Sequence, residues 1–178
     1  MMKKLLIAAV LSIAGLGVAS AQDAAPAANS VSFSGGASTV QETFQDWTVS
    51  CGVQNSKKIC SVSQQQMQNN GQRVMAIEVI PSATDSKINL VLPFGLRLAE
   101  GMTYRIDNGT PATTAFNTCY PGGCVANLPL TNQLVSGLKS GQNLILVGKA
   151  FDGGQDVTLT VSLKGFSAGL DRAVALQQ

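Results

Sequence analysis

The chain has no histidine in its 178 residues. That excludes Ser-His-Asp and Cys-His catalysis, and it removes the imidazole that most transition-metal sites use. Charge is scarce at 12%. With no basic patch and no interleaving of basic and aromatic residues, nucleic acid is excluded as a partner. Aromatic residues make up 5%, and Trp47 is the one tryptophan. What is plentiful is apolar: 45% of the residues are hydrophobic. That is enough to bury a core in one domain and too much for a disordered chain.

The first 21 residues read as a segment to be removed. Lys3 and Lys4 form a positive start, Leu5 to Val18 is uncharged and mostly apolar, and Ala19-Ser20-Ala21 is a small-x-small cleavage site. This is the pattern of a secretory signal peptide. The run is shorter than the ~20 residues of a spanning helix, so no membrane span is expected after cleavage. No cysteine stands at the cleavage point, so a lipid anchor is not expected. The mature chain is predicted to begin at Gln22. It loses two of the twelve Lys+Arg and none of the ten Asp+Glu, which leaves ten against ten and no net charge. Residues 22–40, rich in alanine, serine and glycine, read as a flexible lead-in. The folded domain is expected over 41–178, with order setting in near Phe44.

Strand signals dominate the remainder. Trp47, Val49 and Cys51 alternate with Thr48 and Ser50, and Cys60, Val62 and Gln64 continue the alternation past a turn. Lys57-Lys58 reads as a solvated hairpin tip. Gln64 to Gln72 reads as a strand entering an exposed turn at Asn69-Asn70-Gly71. Arg73 to Ile80 is apolar on both faces apart from Glu78, which marks a central strand. Ile88 to Leu92 is another, closed by Pro93. Leu144–Phe151 and Val157–Leu163 flank Asp152-Gly153-Gly154-Gln155-Asp156 and predict a hairpin. Two helices are expected: one over Thr131–Lys139, capped by Thr131 and stopped by Gly141, and one over Ser167–Leu176. Many short strands at regular spacing predict an all-β antiparallel sandwich or barrel with one or two short helices.

One further hairpin is expected across Ala99-Glu100-Gly101. Folding Phe94, Leu96 and Leu98 back on Met102, Tyr104 and Ile106 puts all six on one face, with Leu98 facing Met102 and Phe94 facing Ile106. Gly101 stands where such a loop needs a positive φ. Asn108-Gly109 then predicts a turn into a third strand.

Four cysteines in an exported chain imply two disulfides, and three pairings are open. Local spacing favours Cys51 with Cys60 and Cys119 with Cys124, the latter around the turn Tyr120-Pro121-Gly122-Gly123. The C-x4-C spacing fits neither a zinc site, which would need further close ligands, nor a C-x-x-C redox pair. Asp152 and Asp156 lack the ligand count of a calcium loop. No metal, cofactor or catalytic residue is assigned.

Taken together, these motifs are similar to those of a known family. Trp47-Thr-Val-Ser-Cys51 with Cys60 and Gln64-Gln65, Leu92-Pro-Phe-Gly-Leu-Arg-Leu98, Gly101 through Ile106-Asp107, Cys119 with Gly123-Cys124, and Val161-Ser-Leu-Lys-Gly-Phe166 carry the similarity. Over about residues 44–172 the sequence resembles the invasion-associated locus B family of Gram-negative envelope proteins. The resemblance implies an immunoglobulin-like β-sandwich that is periplasmic or exposed on the outer-membrane surface. It implies a link to host-cell invasion or virulence in some members, and it carries over no active site. The expected function is non-enzymatic: binding a protein or glycan of the envelope or host surface, with Tyr120 in its restrained loop as the contact. The alternatives are a periplasmic enzyme using a carboxylate pair, and an inhibitor or chaperone acting through a strand edge.

Overall fold

The computed structural model describes residues 31–82 and 86–178. The expected leader, residues 1–21, lies outside the described residues. Seven antiparallel strands form one sheet: β1 (Thr39–Phe44), β2 (Trp47–Gln54), β3 (Lys57–Met67), β4 (Arg73–Ile80), β5 (Lys87–Leu92), β8 (Phe116–Tyr120) and β9 (Gly123–Pro129), in the order β1-β2-β3-β4-β5-β9-β8. Four form the second: β6 (Met102–Ile106), β7 (Ala112–Thr114), β10 (Asn143–Lys149) and β11 (Asp156–Ser162), in the order β11-β10-β6-β7. Two helices complete the domain, α1 (Asn132–Ser140) and α2 (Phe166–Leu176). This is the expected antiparallel two-sheet architecture with two short helices.

Alternation decides which face of each strand is buried. Trp47, Val49 and Cys51 of β2 point inward, as do Met75, Ile77 and Val79 of β4, Ile88, Leu90 and Leu92 of β5, and Ala126 and Leu128 of β9. Met102, Leu144, Leu146 and Val161 of the second sheet join the same core. Over β1, β2 and β3 the cover is α2, through Phe166, Leu170 and Ala173. The Phe166 ring meets Trp47 edge-on, with centroids 4.9 Å apart, an arrangement that aromatic quadrupoles favour.

The sandwich is closed differently along its two sides. On one side the chain itself passes between sheets: β7 and β8 are separated only by Ala115 yet belong to different sheets. On the other side β11 has no strand beyond it among the described residues, and side chains from the first sheet take its carbonyls. Trp47 Nε1 and Gln64 Nε2 donate to Ser162 O at 2.9 and 3.0 Å, and Gln66 Nε2 donates to Thr160 O at 2.5 Å.

Both helices are placed as the sequence predicts. The Thr131 hydroxyl accepts from Leu134 N at 3.2 Å, and Gly141 ends α1. Asp107 holds the next junction: its carboxylate oxygens accept from Gln142 N and Asn143 N at 3.0 and 2.9 Å. Asn108-Gly109 lies in the β6–β7 turn, so the third strand does follow.

Two expectations need correction. Residues 93–98 and 102–106 do not form a hairpin. Leu98–Glu100 is a single 3-10 turn, and β6 pairs instead with β10 and β7, setting Tyr104 opposite Leu146 and Ile106 opposite Leu144. Phe94 and Leu98 are exposed; only Leu96 of that run is buried. Gly101 does take positive φ, at 65°. The second correction concerns the lead-in. Where it is described, order sets in well before Phe44: Phe33 is buried in the core, and β1 starts at Thr39.

Gly165 sits at φ 86°, and a Cβ there would lie 2.0 Å from the Phe44 carbonyl oxygen. Only glycine allows the entry to α2 to pass this close to the β1–β2 turn. Gly165→Ala is expected to destabilise the domain by ~2 kcal/mol or more, read as a lower Tm; an unchanged Tm would show that the close approach costs nothing.

Glu42 of β1 and Arg172 of α2 form a two-pronged ion pair, with Nε–Oε2 at 2.8 Å and Nη2–Oε1 at 2.7 Å. The Arg172 hydrogen bonds hold the Glu42 carboxyl below its usual 4.5; burial opposes them, and the guanidinium charge adds a further downward push. A depressed carboxyl contributes stability above its unfolded value and loses it as pH falls through the folded one. Glu42→Gln is therefore expected to lower Tm slightly at neutral pH and not at all in acid below the carboxylate range. A difference in Tm that persists undiminished into acid would contradict this.

Candidate recognition surface

Four turns meet at the end of the sandwich where β3, β5 and β8 finish. They are the β3–β4 turn, the segment from Pro93 to Gly101, the β8–β9 turn and the β10–β11 turn. Backbone contacts tie them together. Leu92 pairs with Cys124 and Tyr120 with Gly123, so Pro93 leaves the sheet beside the β8–β9 turn. Arg73 reaches over from β4 to donate to Gly122 O at 2.9 Å. Arg97 N donates to Lys149 O at 2.8 Å, Phe151 N donates to Gly95 O at 2.7 Å, and Leu96 bridges to Ala150.

This end is apolar where it meets solvent. Met67, Phe94, Leu98, Tyr120 and Phe151 are between 42% and 69% exposed. They are five of the eight large hydrophobic residues that the described part of the chain exposes, so exposure is concentrated here and not scattered. A cleft of about 620 Å³ runs among Leu96, Arg97, Leu98, Ala99, Glu100 and Phe151. The two charged residues that line it, Arg97 and Glu100, pair with each other at 3.1 Å, and Lys149 at the end of β10 pairs with Asp156 at 2.5 Å.

Tyr120 lies in this cluster, exposed on the turn that sequence reading singled out. Phe94, Leu98, Phe151 and Met67 were not anticipated there. The signal for Phe94 was present in its neighbours. Pro93 cannot donate to a ladder, and Gly95 adopts φ 82°, so a regular strand could not continue through them.

The carboxylates weighed for chemistry lie elsewhere or are already engaged. Glu78 is on the outer face in the middle of the large sheet. It accepts from Asn89 Nδ2 at 3.2 Å, and Asn89 Oδ1 in turn accepts from Asn127 Nδ2 at 2.8 Å. Arg73, on the same strand, donates to the Gly122 carbonyl. Asp156 is paired with Lys149, and Asp152 is exposed on the tip. Among the described residues, no three acidic or cysteine side chains gather where a metal ion could be held.

The cysteines pair as their spacing predicts. Cys51–Cys60 joins β2 to β3 with Cα atoms 4.0 Å apart, and Cys119–Cys124 joins β8 to β9 at 3.9 Å. Each bridge links residues directly opposite in a ladder. The first is buried, whereas Cys119 is exposed at the apolar end. Exchange needs access to sulfur, so a mild reductant is expected to open Cys119–Cys124 ahead of Cys51–Cys60 in the folded protein. Timed alkylation followed by peptide mapping reads the order, and the reverse order would contradict the assignment.

Comparison with known proteins agrees with this architecture. Residues 47–174 match the family model described as invasion associated locus B protein. An invasion protein B homologue of Brucella abortus is 43% identical over 148 residues, covering 82% of this chain and 85% of that protein. Invasion protein B of Bartonella bacilliformis is 34% identical over 190 residues, covering 99% of this chain and all of that one. The crystal structure of invasion associated protein B from Bartonella henselae superimposes with a TM-score of 0.72 at 31% identity, covering 78% of this chain and 97% of that chain. These relatives are named for invasion and not for a reaction. A family match over residues 47–174, with relatives 34% and 43% identical over most of the chain, assigns the chain to the invasion-associated locus B family.

Proposed function

We propose that this is an exported, non-enzymatic protein of the cell envelope or surface that binds a protein partner through the apolar end of its sandwich. The observation that carries the reading is the convergence of Met67, Phe94, Leu98, Tyr120 and Phe151, exposed on four turns that hydrogen bonds and a disulfide hold in place. Anchors held this way lose little entropy on binding. Matched charges around them favour a partner that presents its own apolar side chains over a highly charged one. The leader-like residues 1–21 and the two disulfides support export to the periplasm or beyond. The names of the relatives support a part in host-cell invasion. The engagement of Glu78 and Asp156 with neighbours supports binding over carboxylate catalysis.

The test is photo-crosslinking from the end residues in native cells. A crosslinking residue at Phe151 or Tyr120 is expected to trap a protein adduct, while one at Val174, exposed on α2, traps none. Phe94→Ser with Phe151→Ser is expected to weaken binding of the trapped partner by ~30-fold or more, the scale of an aromatic hot spot of about 2 kcal/mol. These side chains are exposed, so Tm should move by no more than the equivalent of ~0.5 kcal/mol. Adducts from Val174 alone, or substrate turnover abolished by Glu78→Gln, would overturn the proposal.

A further inference from the structure

Two Asn-Gly pairs stand in turns of this chain, Asn70-Gly71 between β3 and β4 and Asn108-Gly109 between β6 and β7. Each holds a latent reaction. A glycine amide nitrogen, freed of its proton, can attack the side-chain amide carbon of the asparagine before it. Glycine permits this best, because it has no Cβ to obstruct the approach and its backbone turns freely. By sequence the two pairs are equivalent, and all four residues are exposed. The structure makes them unequal.

The nucleophile starts alike in both. Gly71 N donates to Gln68 O at 2.9 Å, and Gly109 N donates to Ile106 O at 2.8 Å, so each nitrogen has one turn hydrogen bond to leave. The electrophiles differ. Gln72 N donates to Asn70 Oδ1 at 2.9 Å, an Asx turn of the kind that short amide side chains form. No donor among the described residues reaches the Asn108 side chain. A donor on a carbonyl oxygen draws electrons from its carbon. It also stands ready where negative charge gathers when that carbon is attacked.

Freedom to move differs as well, and the backbone must rotate to bring carbon and nitrogen together. Among the described residues, the hydrogen bonds of residues 68–72 stay within the β3–β4 turn: the two above, and Gln68 N to Gln72 O at 2.8 Å. A Cβ on Gly71 would meet nothing within 4 Å. The β6–β7 turn is clamped from outside. The Asp107 carboxylate accepts from Gln142 N and Asn143 N at 3.0 and 2.9 Å, and Asp107 N donates to Asn143 O at 2.9 Å. A Cβ on Gly109 would lie 2.9 Å from Ile106 O.

We propose that Asn70 is a modification site, deamidated spontaneously through a cyclic imide to aspartate and isoaspartate, ahead of Asn108. Gly71 N gives its proton to hydroxide and forms a bond to Asn70 Cγ. The π pair of that carbonyl moves onto Oδ1, where Gln72 N–H meets it. Collapse restores the carbonyl and breaks the Cγ–Nδ2 bond, and Nδ2 takes a proton from water and leaves as ammonia. Water then opens the imide at Cγ, giving aspartate, or at the Asn70 main-chain carbon, giving isoaspartate. In sum a water is consumed and an ammonia released, with nothing oxidised or reduced. Either product puts a carboxylate into a turn that has no charged residue from Gln68 to Gln72, beside the exposed Met67. The reaction stands independently of what that end binds; only its effect on a partner rests on the function proposed above.

The experiment incubates the full folded chain at mildly alkaline pH and follows amide-to-acid conversion at both sites by mass spectrometry of peptides taken over time. Isoaspartyl methyltransferase with a labelled methyl donor reads the isoaspartate product. Asn70 is expected to convert roughly fivefold faster than Asn108, the worth of one well-placed hydrogen bond in a rate. In guanidinium chloride, where both turns are lost, the two rates are expected to converge. Equal loss from both sites in the folded protein, Asn108 ahead of Asn70, a rate ratio that survives in guanidinium, or an Asn70 that stays intact when folded would each overturn the proposal.

Discussion

Three side-chain donors decide how the two sheets face each other. Trp47 and Gln64 share the Ser162 carbonyl, and Gln66 takes Thr160. An apolar core would tolerate some sliding of one sheet over the other, because hydrophobic burial has no direction. Hydrogen bonds to fixed carbonyls do not tolerate it, since the part-buried Trp47 and Gln64 donors, displaced from Ser162, go unpaired at a cost of about 1–3 kcal/mol each. The same contacts occupy the edge of β11, which would otherwise be a template for another strand. Placement of α2 follows from them, because Phe166 packs against the ring whose nitrogen is engaged. The position of the β10–β11 turn follows as well, and with it half of the apolar end.

Much of the fold was legible because its strands obey a period of two and its turns use the expected residues. Trp47-Thr-Val-Ser-Cys51 could be read directly, as could Thr131 and Gly141 around α1. The failed hairpin shows where the rule is insufficient. Phe94, Leu96 and Leu98 alternate as well as any strand in the chain, but alternation says only that a face exists and does not say what covers it. β10 offers β6 a five-residue ladder lined by Leu144 and Leu146, and a short run broken by Pro93 and Gly95 cannot match that. Phe33 was missed for the opposite reason: a single aromatic in a stretch of small residues has no period.

The candidate surface was less legible than the scaffold. Disulfide pairing could be read because both bridges are local. Tyr120 could be read as exposed because a short disulfide loop has nowhere to hide it. The convergence of Phe94, Leu98 and Phe151 could not, because it depends on Phe151 N reaching Gly95 O across more than fifty residues.

The contacts that join the sheets span most of the chain. Ser162 lies 115 residues beyond Trp47 and 98 beyond Gln64, and Arg172 lies 130 beyond Glu42. The β1–β5 meander can pair locally as it emerges, yet its inner face of Trp47, Val49 and Val62 has no lid until the last twenty or so residues arrive. Assembly is therefore back-loaded: ladder formation comes early and inexpensively, and the decisive burial waits on the end of the chain. Until then the nascent meander presents a broad sticky face, the kind of surface that chaperones hold and that aggregates when they do not. A chain cut short before α2 loses far more than a helix, because β1, β2 and β3 keep their ladder and lose the cover that Phe166, Leu170 and Ala173 give them.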